Sequence, residues 1–139
     1  ARGLSPITDA DGGITDALAH LADDVSEAYG ISCSFLADRA LEVDGDRAGH
    51  VYRIVQEAVS NAARHGRAKS VFIEVHHDDG TAEVHVADDG TGITDAALEG
   101  ESGLGLRTMR YRARRLGGTL EVEAPDSGGT EVVVRFPLV

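Results

Sequence analysis

Residues 70–88 constrain the fold more than any other stretch of the chain. "SVFIEVHH" and "TAEVHVAD" alternate apolar and polar residues with period two, and "DDG" joins them as an Asp-Gly turn. Successive strand side chains point to opposite faces, so this is a β-hairpin with one face toward a core. The alternation puts Val84, Val86 and Asp88 on one side, and the two valines mark that side as the inner one. The aspartate in third place is followed by Gly90 and Gly92. Either the strand runs out into an ordinary turn, or a carboxylate is aimed inward at a ligand.

Around the hairpin the period changes to that of a helix. From Asp11 to Tyr29, Ile14, Ala17, Leu18, Leu21, Val25 and Ala28 recur at helical spacing, and Gly30 is a C-terminal stop. "ISCSFLA" reads as a short strand. A second helix is expected from Asp46 to His65, with Val51, Ile54, Val55, Ala58 and Ala62 as its apolar stripe and Gly66 at its end. Residues Asp89 to Ser102 read as a long loop. A third helix spans Leu104 to Leu116, with Leu106, Met109, Ala113 and Leu116 inward, and Gly117-Gly118 stops it. Strands at Thr119 to Ala124 and Thr130 to Phe136 complete the pattern. It predicts an α+β two-layer sandwich, three helices on one face of a mixed, mostly antiparallel sheet of about five strands.

The bulk properties narrow the function classes. With 139 residues, 42% hydrophobic and 27% charged, the chain suits one soluble globular domain. No apolar run approaches the roughly 20 residues of a membrane helix, and no signal peptide is visible. Cys33 is the single cysteine, which excludes an intrachain disulfide and a cysteine-based zinc site. A cytoplasmic setting fits this usage. A net charge of −11 argues against a domain that binds nucleic acid by neutralising phosphates. Lys69 is the only lysine, and no Walker A motif is present. Arginine is concentrated locally: Arg107, Arg110, Arg112, Arg114 and Arg115 fall within nine residues. That run reads as a solvated face balancing an acidic body, or as a site for phosphate or an acidic partner.

Two further places carry candidate chemistry. In "QEAVSNAARHG", Glu57 and Asn61 lie one turn apart on the flank of the apolar stripe. They form either a polar boundary pair, or a magnesium-ligating amide with a carboxylate that accepts a proton during attack on a phosphate. "SGLGL" opens the third helix with two glycines, either as an entry turn or as a close backbone approach to an anion at a helix N-terminus. "GLGLRT" is not a dinucleotide fingerprint, because Thr108 stands where its last glycine belongs. "HHDDG" lies at a hairpin tip, where polar residues need no further cause. "DADGG" lacks the glycine spacing of a calcium loop.

The ordered set of E-x-x-x-N on a helix, D-x-G-x-G after a strand and G-x-G before a helix resembles the GHKL ATPase superfamily. The N box is Glu57 to Gly66, the G1 box Asp88 to Gly92, and the G2 box Gly103-Leu104-Gly105. "RIVQEAVSNAARHG", "GLGLRTMRYRARRLGG" and "GGTEVVVRFPL" resemble the ATP-binding domain of bacterial sensor histidine kinases that pair with NarL/LuxR-like response regulators. The likeness covers nearly the whole chain. Tyr111 departs from it, since glutamate is frequent at that position, and an ion pair there is not expected.

The resemblance implies a Bergerat fold binding ATP and Mg²⁺. Asp88 accepts a hydrogen bond from the adenine amino group, joined through water by Thr130. Gly90 and Gly92 clear space for the base and the lid hinge. Asn61 coordinates Mg²⁺, Arg64 and His65 lie near the phosphates, and the Gly103-Leu104-Gly105 turn cradles them. Glu57 matches the N-box glutamate, a base in the ATPases. The implied partners are a dimerisation domain bearing the phosphoacceptor histidine and a response regulator. Neither dimerisation helices nor a phosphoacceptor box around His20 is evident in residues 1–139. The chain is therefore expected to be one domain of a longer kinase, monomeric by itself and unable to phosphorylate itself. The same fold also serves stand-alone serine kinases of the anti-sigma-factor type and non-catalytic ATP sensors.

Overall fold

A computed structural model describes residues 13–92 and 105–138. In chain order the elements are α1 (Gly13–Tyr29), β1 (Ser32–Ala37), α2 (Gly45–Arg64), β2 (Ser70–Asp78), β3 (Thr81–Asp88), α3 (Leu106–Arg115), β4 (Thr119–Glu123) and β5 (Thr130–Pro137). The expected start of α1 at Asp11, the loop at 93–102, and Gly103 and Leu104 lie outside the described residues.

The central helix shows why these residues fold as they do. Asp44 has extended backbone geometry, and its carboxylate accepts the N–H of Arg47 at 2.9 Å. That N-cap contributes about 1 kcal/mol by pairing an N–H that the helix itself leaves open. Val51, Val55 and Val59 are fully buried and recur every four residues, with Ile54, Ala58 and Ala62 beside them. Each fully buried valine or isoleucine contributes roughly 1.5–3 kcal/mol of transfer free energy. At the other end the N–H groups of His65 and Gly66 both close on the carbonyl of Asn61 at 2.9 Å.

The strands form one sheet in the order β1-β2-β3-β5-β4. Strands β1 and β2 are parallel, as a connection through a helix allows, and the other pairs are antiparallel. Register then aligns the inner face into rows. Ile73, Val86, Val132 and Val122 form one row, and Val75, Val84, Val134 and Leu120 form the next. The three helices cover this face, leaving Ile73, Val75, Val84 and Val134 at most 1% exposed. The row at the end of the sheet is different. There Val71 stands opposite Asp88, and Asp88 opposite Thr130.

The expected two-layer arrangement is therefore present, with one local correction. Ala28, placed by periodicity on the inner stripe of α1, is exposed. The last turn of α1 is instead tied to β1 through Ser26, whose Oγ accepts the Cys33 N–H at 2.9 Å and lies 2.9 Å from the Ala22 carbonyl. A hydroxyl makes the contact in this last turn, where Glu27, Ala28 and Tyr29 are exposed. Cys33 is buried at this junction, and burial, with the charge of Asp23, pushes its thiol up to about 11. A thiol held in that form is a poor nucleophile.

Candidate functional site

The end row of the inner face is where the sheet stops being purely apolar. Asp88 is half-buried, and its Oδ1 accepts the Gly90 N–H at 2.8 Å. Burial raises its pKa, opposed by the backbone N–H groups of Gly90 and Thr130 and assisted by the neighbouring charge of Asp89. Burial is the largest of these effects, so the site desolvates this carboxylate more than it satisfies it. Such a group gains more from an added hydrogen-bond donor than an exposed carboxylate does.

Asp89, one residue on, points elsewhere. Its Oδ1 accepts the N–H groups of Lys69 and Ser70 at 2.8 and 2.9 Å, and its own N–H meets the Ser70 carbonyl at 3.2 Å. These backbone donors hold its carboxyl below the usual aspartate range. The start of β2 is thereby fastened to the end of β3. The same junction is closed by the Thr91 N–H, which donates to the Gly66 carbonyl at 2.8 Å.

The glycines of this region are required by close packing. A Cβ at Gly90 would lie 2.9 Å from the carbonyl carbon of Gly66 and nearer still to its oxygen. A Cβ at Gly92 would lie 3.0 Å from the Gly129 carbonyl oxygen, and one at Gly129 would run into the carbonyl of Asp88. The loop after β3, the end of α2 and the start of β5 thus meet backbone to backbone around Asp88.

Across from this cluster, Glu57 on α2 reaches α3. Gly105, at the N-cap of α3, has φ 68°, a left-handed conformation that costs other residues strain. A Cβ there would lie 2.7 Å from Cδ and 2.8 Å from Cγ of Glu57, and closer still to Oε1. The N box and the last glycine of the G2 box are therefore in direct apposition. Asn61 lies one turn further along α2, while Arg64 and His65 present exposed side chains at its end, beside Gly66. The structure brings Asp88, Gly90, Gly92 and Thr130 together, and joins Glu57 to Gly105. Gly103 and Leu104 fall outside the described residues.

Sequence comparison agrees with this arrangement. The profile of the histidine kinase-, DNA gyrase B- and HSP90-like ATPases matches residues 46–139, which include all three boxes. The chain belongs to this ATPase family.

Its relatives within the family are sensor kinases. The nitrate/nitrite sensor protein NarQ of Escherichia coli is 40% identical over 97 residues, 69% of this chain and 17% of NarQ. The sensor histidine kinase LiaS of Bacillus subtilis is 30% identical over 136 residues, 97% of this chain and 37% of LiaS. The chain thus spans about a sixth of NarQ and about a third of LiaS. Among solved structures, the ATP-binding domain of PrrB from Mycobacterium tuberculosis superposes with a TM-score of 0.79 at 27% identity, covering 91% of this chain and 94% of that one. The histidine kinase domain of a blue-light-activated kinase from Erythrobacter litoralis gives a TM-score of 0.77 at 26% identity, covering 90% and 61%. This chain is an ATPase domain of the sensor histidine kinase type, homologous to NarQ and LiaS.

In this family member the arginine-rich helix α3 is divided in use. Arg107, Arg114 and Arg115 are exposed, whereas an Arg112 nitrogen lies 3.2 Å from Nδ1 of His50 and so ties α3 to α2. Tyr111 is 52% exposed on the same helix. Of the hairpin histidines, His77 pairs with Asp38, just after β1, at 2.6 Å, and His76 with Glu74 on its own strand at 2.9 Å. Among the described residues no group of three or more His, Cys, Asp or Glu side chains is placed to hold a metal ion. No described helix is long and apolar enough to cross a membrane.

Two elements of the site escape sequence reasoning. Asp89 as a backbone clamp could have been suspected from its outward strand position, but its partners lie some 20 residues away along the chain. The Glu57–Gly105 apposition carries no sequence signal, since 48 positions separate the two residues.

Proposed function

We propose that this ATPase domain binds ATP with Mg²⁺ and donates the γ-phosphoryl group to a histidine on a separate dimerisation domain of the same kinase. The observation that carries this reading is Asp88: a half-buried carboxylate on the inner, mainly apolar face of the sheet, desolvated more than it is satisfied and flanked by glycines whose backbones pack closely around it. One oxygen takes the Gly90 N–H, which leaves acceptor capacity for the exocyclic amino group of adenine. Thr130, opposite Asp88 on β5, supports the same end of the base.

The remaining residues fit the other end of the nucleotide. Gly103, Leu104 and Gly105 precede α3, whose first N–H groups suit phosphate oxygens. Arg64 and His65 stand at the end of α2 as cationic or donor groups near them. Asn61 offers one amide oxygen to Mg²⁺, a hard cation that otherwise keeps waters and substrate phosphates as ligands. Bound ATP–Mg²⁺ supplies the phosphoryl group with its charge partly neutralised. In the transfer a bond from the γ-phosphorus to an imidazole nitrogen forms, the bond to the bridging oxygen breaks, and ADP leaves. Glu57 is the candidate to accept the imidazole proton.

The partners on this reading are the histidine-bearing dimerisation domain and a NarL/LuxR-like response regulator, with the domain monomeric by itself and working in the cytoplasm. The test is direct. The chain, mixed with a separately expressed dimerisation domain and γ-labelled ATP, is expected to label that domain on an acid-labile histidine. Nucleotide binding without any transfer would overturn the kinase reading and leave a nucleotide sensor.

A further inference from the structure

We infer that Glu57 is a positioning residue for nucleotide binding: its side chain is the seat on which the last glycine of the phosphate turn rests. This rests on the ATP reading above and extends it, since a proton acceptor alone has no need to touch that turn. Three observations carry it. Gly105 is the N-cap of α3 in a left-handed conformation and has no side-chain cap of its own, so no side chain at that position fixes how α3 begins. The place a Cβ would occupy there is filled by Cγ, Cδ and Oε1 of Glu57. Glu57 itself projects from a well-anchored helix, between the buried pairs Ile54–Val55 and Ala58–Val59.

The arrangement gives the second glycine of the G2 box a reason other than close approach to an anion. A larger residue at 105 would force the Glu57 side chain to move, and a shorter residue at 57 would lose its contact with Gly105. What matters in this contact is reach and volume rather than charge. That separates seating from proton transfer, because glutamine preserves reach without basicity and aspartate preserves a carboxylate without reach.

The experiment is Mg²⁺-dependent ATP binding by calorimetric titration of the full chain, with thermal melts of each variant to show that it is folded. Glu57→Gln is expected to bind within about twofold of wild type, while Glu57→Asp and Glu57→Ala each weaken binding by about tenfold. Gly105→Ala is expected to weaken binding by more than about tenfold in the wild-type background and by clearly less in the Glu57→Ala background, because the collision is gone and only the left-handed strain remains. Aspartate binding like wild type while glutamine binds poorly would overturn the inference, as would equal binding by all three Glu57 variants. An identical Gly105→Ala effect in both backgrounds would also overturn it. A wild-type chain that binds no ATP would instead remove the nucleotide reading, and this inference with it.

Discussion

Strand β3 carries two carboxylates that the sheet treats in opposite ways. Asp88, on the inner face, is half-buried and has its pKa raised, chiefly by burial. Glu83, on the outer face, has its pKa lowered by Arg135 first, then by His85, whose Nε2 lies 2.9 Å away. Both sit on the same strand, and the pleat alone decides their surroundings. Glu83 spends its acceptor capacity on the Arg135 guanidinium and the His85 ring. Asp88 has backbone donors, no cation among its partners in the described residues and a desolvated setting, and the proposal that it reads adenine rests on that difference.

The sharpest way to break this comparison is Asp88→Asn. An asparagine has one acceptor oxygen, and the Gly90 N–H already claims it. The amide NH₂ would then face the amino group of adenine, donor against donor. ATP affinity is expected to fall by ~1–3 kcal/mol, the cost of an unpaired buried group. Calorimetric titration of the two proteins checks it, and equal affinities would remove Asp88 from the site.

Asp89 tests whether the difference between neighbours is one of role. Asp89→Ala removes the acceptor for Lys69 and Ser70 and is expected to lower both the melting temperature and ATP affinity, by less than Asp88→Asn lowers affinity. Asp89→Asn keeps an acceptor oxygen and is expected to restore most of both. A large affinity loss in the asparagine variant would mean that Asp89 meets the ligand itself.

The smallest expected effect is on the outer face, where Glu83→Gln should barely move the melt, since the pair with Arg135 is solvent-screened. The two carboxylates should nonetheless differ in sign with pH. Glu83, with its folded pKa below the ordinary 4.5, contributes stability that is present above that value and lost as pH falls through the folded pKa. Asp88, raised above 3.8, favours the folded state below that value, and this contribution is lost as pH rises through the folded pKa. Melts of Glu83→Gln and Asp88→Asn across the acid range should therefore deviate from wild type in opposite directions.

Much of the fold was legible because periodicity reports burial directly. The stripe Val51, Ile54, Val55, Ala58 and Ala62 is buried as its helical spacing requires, and Val84 and Val86 face inward as alternation requires. Ala28 is exposed although its spacing places it on the stripe, because helical spacing alone cannot say where along a helix the packing ends. In the site, the inward direction of Asp88 followed from the same alternation that placed the valines. Its partners did not, since Thr130 reaches it only through the insertion of β5 between β3 and β4.

The sequence by itself determined which residues form each element, which face of each is apolar, and that an aspartate interrupts one inner face. Only the tertiary structure decided what that aspartate lacks, what Asp89 fastens, and that Glu57 occupies the space a side chain at Gly105 would need. The physical reason is range. Backbone geometry and hydrophobic period act over a few residues, whereas the apposition of α2 with the start of α3 depends on how two helices settle on one sheet.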